Sequence, residues 1–364
     1  MTREQWQSIQ REFQGGRKFS WTVALLVGDL ILFGGAGALW METPEWWIKI
    51  VAEILTMLAL VQVYLILHEA NHGAVCRTRW INGVAGHLCG WLVFLPFLSR
   101  QRHHLQHHAW AGHPIHDPEN RGIIERFASL TRSGSSRLEF IWRYWIPLIA
   151  ANSYLANWRS PFRARAGGDG SARVRKEIRF AWIYLAGYAT ALCVARANGR
   201  MASLLCWYVP ALIVQLMAVE LLNLPHHAEA PVLPASAGRL RYWEQEAVTH
   251  SCAALPVWSS AIILNFNLHI AHHAFPMVAW HQLPRIQKAM ADCGPVGGEW
   301  RMDEWSWSAA NRKRPLLDVM KAYFVGKPAR VSPLPPGSEE TSRASRLGQG
   351  GYSGVGDQWN GKPG

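Results

Sequence analysis

No CxxC pair occurs in this sequence. Its six cysteines, Cys76, Cys89, Cys193, Cys206, Cys252 and Cys293, are scattered, which leaves a zinc ribbon, a rubredoxin-like site and a ferredoxin cluster without support. Six free thiols in a reducing compartment is the simplest reading. Charge is also scarce. Asp, Glu, Lys and Arg make up 17% of the residues, against about 25% in soluble domains. The opening stretch MTREQWQSIQREFQGGRKF has no apolar core followed by a small-residue cleavage site, so no signal peptide is expected. No internal repeat of solenoid length is found. No aromatic–basic interleave of the RNA-binding kind stands out either. The formal net charge of +12 comes from Lys and Arg placed mostly between and after apolar runs, which fits an anionic membrane face rather than nucleic acid.

Apolar length and tryptophan are abundant. Hydrophobic residues reach 49%, and there are 20 Trp, a residue enriched where membrane meets water. One apolar run extends from about Trp21 to Met41 and a second from about Trp46 to Leu67, joined by the short turn ETPE. Each has the length of roughly 20 residues needed to cross a bilayer core of about 30 Å. Phe180 to Ala195 and Met201 to Leu222, joined by RANGR, form a second such hairpin. Trp80 to Ser99, interrupted by Gly83, Gly86, Gly90 and Pro96, reads as a partly inserted helix, and Phe140 to Trp158 as interfacial. A shorter amphipathic stretch runs from about Leu255 to His269. The expected fold is all-α: a polytopic membrane protein of about four transmembrane helices with a cytosolic helical cap. Residues 1–20 form a cytosolic N-terminal segment, 21–327 the membrane domain, and 328–364 a disordered tail rich in Pro, Gly and Ser. The placement of Lys and Arg puts both termini and the long middle region in the cytoplasm, with RANGR as a mild exception outside.

Most of the 16 His fall in short clusters. HEANH carries His68 and His72, RHHLQHH carries His103, His104, His107 and His108, and NLHIAHH carries His269, His272 and His273. NLPHH adds Asn223, His226 and His227. The four-span topology places all of them on one side of the membrane, although hydropathy and charge alone set that topology. Residues three and four apart share a helix face, so His68 and His72 point together. Adjacent His, as in His107–His108 or His272–His273, diverge by one residue's rotation and can serve different ions. Nitrogen-rich sites without thiolate suit iron, zinc or copper, and three clusters exceed what one ion can hold. The spacing leaves His103 or His104, and His226 or His227, open as alternatives. His87, His113, His116, His250 and His281 are assigned to structure or to the surroundings of the ligands.

These motifs resemble the membrane fatty-acid desaturase superfamily, which also contains hydroxylases and carotenoid oxygenases. HEANH, HHLQHH and HIAHH match its three histidine boxes in order. HHAWAGHPIHDPE matches the acid-ending run after box two, and LNFNLHIAHHAFPMVAWHQLP the stretch around box three. The likeness covers roughly Trp46 to Pro284. It implies a four-helix membrane stem with a cytosolic helical cap, two Fe ions, and the ligands His68, His72, His104, His107, His108, His269, His272 and His273. His227 would join them, with Asn223 acting through water. Glu69 and Asp117 would support the ligands. Box two also reads as HxxxHH from His103, a spacing closer to hydroxylase-like members, so the boxes alone do not separate desaturation from hydroxylation.

The activity so implied is the insertion of a C=C bond into a fatty acyl group, using dioxygen and two electrons. A hydroxylase or ketolase acting on an alkyl or carotenoid substrate is the alternative. The sequence has neither a cytochrome-b5-like HPGG nor a ferredoxin cysteine set, so a separate ferredoxin or cytochrome b5 type donor is expected. HEANH also fits HExxH, with Glu69 as the general base of a zinc intramembrane protease, but that reading leaves the other two clusters without a role. A metal transporter would hold its ions near the bilayer midplane, whereas these His lie at helix ends and in loops.

Overall fold

A computed structural model describes residues 1–14, 20–119, 129–228, 230, 233–253, 259–294, 303–315 and 319. The tail expected at 328–364 lies outside the described residues. Twelve helices are labelled here: α1 (Arg3–Gln14), α2 (Trp21–Glu42), α3 (Trp46–Asn71), α4 (Arg79–Leu92), α5 (Phe97–Trp110), α6 (Arg132–Arg143), α7 (Leu148–Ala166), α8 (Ala172–Ala197), α9 (Met201–His227), α10 (His269–Ala274), α11 (Leu283–Asp292) and α12 (Glu304–Asn311). Short helical turns lie at Tyr242–Ala247, Ser259–Ile262 and Trp280–Gln282. There is no β-strand among the described residues.

Helices α2, α3, α8 and α9, of 22, 26, 26 and 27 residues, are long and apolar enough to cross a membrane. At 1.5 Å per residue each reaches beyond a hydrocarbon core of about 30 Å. Ser20 caps α2 by accepting from the Val23 N–H, and Thr43 closes it. Pro44 then disfavours helical geometry at the residue before it, which fixes the tight link to α3. Half of the apolar window of α3 is buried, against 17–28% in the other three, so α3 is the axis of the bundle. Helices α2, α4, α5 and α9 all pack against it. Its Leu60, Val63, Tyr64, Leu65, Ile66 and Leu67 form the main core with residues of α4 and α9. The outward faces of the spans stay apolar, with Trp21, Ile31, Trp46, Ile54, Trp182 and Ile213 all exposed.

The third apolar stretch is two helices rather than one. Helices α4 and α5 meet at an angle of 106°. Gly83 and Gly86 sit inside α4, so the break falls later, at Val93–Pro96, where Phe94 has φ 58°. The Leu95 N–H donates to the Gly90 carbonyl at 2.7 Å. A Cβ on Gly90 would lie 2.5 Å from the Leu95 carbonyl oxygen, so the return of the chain requires glycine there. The interfacial stretch at 140–158 is likewise divided between α6 and α7, with Trp145 at φ 60° in the link. The bend after α4 turns box two, on α5, across the end of α3. Near the other boxes, α1 packs through Ile9 and Phe13 onto α10 and α11, and the Trp6 indole donates to the Ala274 carbonyl at 2.8 Å.

Candidate metal centre

Each histidine cluster reaches the centre by its own local route. His68 lies in the last turn of α3 and His72 caps that helix. Gly73, at φ 68°, then lets the chain turn away. His104, His107 and His108 share the inner side of α5, and His227 is the last residue of α9. Helix α10 is only six residues long, and three of them are His269, His272 and His273. Its entry is shaped by Leu264 and Asn265, both at positive φ, with the Asn267 side chain donating to the Cys252 carbonyl.

These nine imidazoles form two groups. His68, His72, His104, His108 and His272 each bring a ring nitrogen within 4.8 Å of the others, and His107, His227 and His273 do the same beside them. His269 joins the second group, with its Nε2 3.1 Å from both His227 Nε2 and His273 Nε2. Adjacent His part company: His107 faces the second group and His108 the first, while His272 faces the first and His273 the second. All nine are buried.

The ring contacts fit metal ions. His104 Nε2 lies 2.8 Å from His72 Nε2 and 3.2 Å from His108 Nε2, and His107 Nε2 lies 3.2 Å from His227 Nε2. Two imidazole nitrogens at right angles on one ion, each about 2.1 Å away, are separated by about 3 Å. The far side of two rings fixes their protons. His273 Nδ1 donates to Gln245 Oε1 at 2.8 Å, and His107 Nδ1 donates to Asp117 Oδ1 at 3.0 Å. Each ring therefore turns Nε2 inward. Among the described residues, the buried His68 Nε2 has no hydrogen-bond partner. Lone pairs gathered this closely repel unless a cation sits among them.

Burial, followed by neighbouring His and Arg100, holds His72 well below the usual histidine range. Burial and the nearby rings do the same to His269 and His273, and His272 is pushed down to about 3. The neutral ring is the form that binds metal. His107 is the exception: burial lowers it, but Glu119 and Asp117 outweigh that and raise it to about 9. Its environment calls for positive charge at the ring.

The supporting residues divide between foreseen and unforeseen. Asp117 accepts from His107 and from the Gly112 and Glu119 backbone N–H groups. Glu69 accepts from the Trp280 N–H at 3.0 Å, tying box one to the loop after box three. The Asn223 amide donates to the Val219 carbonyl at 2.7 Å and to the Tyr64 hydroxyl at 3.3 Å. His103 turns away to Ser160 Oγ at 3.0 Å. His226 points to the His250 carbonyl, also at 3.0 Å. Both register alternatives thus lie outside the two groups. His113 accepts from the Ile115 and His116 N–H groups, and His87 packs on Phe180. Gln245 was not foreseen. Besides holding His273, it donates to the His108 carbonyl at 2.5 Å, joining boxes two and three. It stands in YWEQEA, a stretch with no histidine and no recognisable spacing, so no sequence signal marks it.

Comparison with known proteins agrees with this geometry. The chain is 24% identical over 316 residues to an sn-1 oleoyl-lipid 12-desaturase of Anabaena variabilis, covering 81% of this chain and 83% of that protein. A Delta(12) fatty acid desaturase of Caenorhabditis elegans is 26% identical, with 74% of each chain covered. A beta-carotene ketolase of Haematococcus lacustris is 22% identical over 68% of each. Residues 44–304 match the family model for fatty acid desaturase, a stretch that takes in all nine inward-facing histidines. By that match the chain is a membrane oxidoreductase and belongs to the fatty acid desaturase family.

Proposed function

We propose that this protein is a membrane-bound desaturase that inserts a C=C bond into a fatty acyl chain carried as a lipid or thioester. The observation that carries the reading is the pair of histidine groups, five rings and four, side by side in one buried chamber. In this reading His68, His72, His104, His108 and His272 hold one Fe ion, and His107, His227, His269 and His273 hold the other. Asn223, one turn before His227, completes the smaller set through water. When bound, the two iron ions supply the activation of dioxygen and the oxidation of an unactivated methylene. The chain's own part is placement. Asp117 and Gln245 fix the ring orientations of His107 and His273, as outer partners of metal-bound His do. Glu69 holds the loop at Trp280 against α3, a role unlike the general base of a protease. The active site and both termini face the cytoplasm, and two electrons arrive from a separate ferredoxin or cytochrome b5 type carrier.

The similarity to beta-carotene ketolases supports a second reading, oxygen insertion into a carotenoid. The first is preferred because His103, which would give the hydroxylase-like box spacing, faces Ser160 instead of the chamber. Expression in a host without such enzymes, with lipid extracts compared by mass spectrometry, tests both. Loss of two hydrogens from an acyl chain is the expected result. A carotenoid that gains oxygen establishes the ketolase, and unchanged lipids in cells supplying electrons and dioxygen overturn the proposal.

A further inference from the structure

A third cluster of metal-binding side chains lies beside the chamber and plays no part in the reading above. A ring nitrogen of His226, the Cys252 Sγ and a carboxylate oxygen of Glu304 lie within 4.8 Å of one another, and all three residues are buried. They come from separate parts of the chain: the end of α9, the segment at Cys252, and the first residue of α12. The His226 ring stacks on His269 with centroids 4.5 Å apart, so this cluster backs directly onto the histidine chamber.

The hydrogen bonding at His226 is incomplete in an informative way. Its Nδ1 faces the His250 carbonyl at 3.0 Å, so Nδ1 carries the proton and donates. A neutral ring then has a bare lone pair at Nε2. That atom lies 3.4 Å from Glu304 Oε1, and neither atom has a hydrogen-bond partner among the described residues. Nε2 and the carboxylate oxygen face each other at that range, and the Cys252 sulfur, 3.8 Å from the Nδ1 edge of the same ring, belongs to the same buried group. Such an arrangement calls for a positive charge between them, supplied by a proton or a metal ion.

We propose that His226, Cys252 and Glu304 bind one divalent cation of the zinc class, distinct from the two ions of the histidine chamber. A nitrogen, a sulfur and a carboxylate oxygen form a donor set that zinc accepts, with water as the fourth ligand. The thiolate makes this site softer than the all-histidine groups, which separates the two in metal preference. Charge also balances. One dication neutralises one thiolate and one carboxylate, and the thiol proton leaves to solvent on binding. The ion pins the start of α12 and the segment at Cys252 to the end of α9, which fixes the His226 ring behind His269. Nothing in this proposal depends on which reaction the chamber performs.

The test uses the full-length protein in detergent, stripped of metal and reloaded with Co(II). A cobalt–thiolate charge-transfer band in the near ultraviolet is expected from the wild type, because the histidine groups contain no sulfur. Cys252→Ser should remove that band, and Glu304→Gln should weaken cobalt retention at the same site. Metal analysis of protein purified from cells should give about one zinc per chain in the wild type and none in Cys252→Ser, with the iron content unchanged. A wild-type protein that shows no thiolate band overturns the proposal, and so does a band that survives Cys252→Ser. The wild-type spectrum decides even if a variant fails to fold.

Discussion

The membrane stem and the histidine chamber are built on opposite plans. In the stem, apolar side chains such as Ile31, Ile54 and Trp182 face outward, and α2, α8 and α9 leave most of their surface to lipid. In the chamber, nine imidazoles are buried together, and Asp117 and Gln245 bond the far sides of His107 and His273. The two regions meet at the ends of α3 and α9, where one continuous helix passes from one regime to the other. Within α3, Leu65, Ile66 and Leu67 run directly into His68 and Glu69, all buried. The difference teaches that burial here has two costs. Apolar groups in the stem can face lipid freely, because hydrocarbon is as apolar as they are. Polar groups in the chamber need a partner for every lone pair, and a cation is the partner that the described residues do not provide.

The largest effects should come from breaking the chamber's plan. His272→Ala removes a nitrogen from the five-ring group, whose Nε2 lies 3.3 Å from His108 Nε2. It should abolish oxidation and lower bound iron, read by product analysis and metal content. A fully active variant would contradict the ligand assignment. The stem's plan breaks most sharply at Ile31, 70% exposed near the middle of α2. Ile31→Arg should cost about 3 kcal/mol on membrane insertion, whereas Ile31→Leu should be neutral. A glycosylation-mapped insertion assay compares the two, and equal insertion would mean that this face is not in lipid.

Changes behind the ligands should be milder. Gln245→Leu leaves His273 Nδ1 and the His108 carbonyl without their partner, and Asp117→Ala does the same for His107. Each should weaken iron binding or activity by about 10–100-fold. Gln245→Glu, which can still accept from His273, should recover part of the loss. If Gln245→Leu binds iron as tightly as the wild type, the ring orientation of His273 is set elsewhere. Acidity sharpens the same contrast in metal-free protein. His269, His272 and His273 resist protonation when folded, so the unfolded chain binds more protons below its ordinary histidine pKa of about 6.5. Metal-free stability should therefore fall as the pH drops below that value, while His107, raised to about 9, makes it decline again as the pH rises from about 6.5 toward 9. Thermal unfolding at pH 5.5 and 7.5 reads the sign.

The spans were legible because hydropathy is a one-dimensional signal, and a run such as Trp46 to Leu67 declares itself without knowledge of its neighbours. The boxes were legible because several histidines at helix spacing stand out in a chain without knowledge of their neighbours. Less legible was whatever depended on backbone turns and distant partners. Pro96 marked a break, but Phe94 at positive φ and the 106° turn after it follow from how α5 packs across α3. The choice of His104 over His103 as the inward-facing ring was hidden for the same reason. It depends on Ser160, which lies 57 residues from His103. Gln245 and the grouping of Cys252 with His226 and Glu304 are contacts between distant segments with no local pattern to betray them.

The smallest expected effect probes whether polar contacts matter less in the stem than in the chamber. Thr56 in α3 accepts a hydrogen bond from the Trp207 indole of α9 at 2.8 Å and donates to the Ala52 carbonyl. Thr56→Val keeps the shape of the side chain and removes the hydroxyl. Hydrogen bonds between membrane helices average about 0.6 kcal/mol, because the separated helices find other partners. Loss of that size in bicelle unfolding, with iron content and activity unchanged, would mark the stem as held chiefly by packing against Leu60 and Val63. A loss above about 2 kcal/mol would show that α3 depends on polar pairing along its whole length, and the division between stem and chamber would then lie in the metal alone.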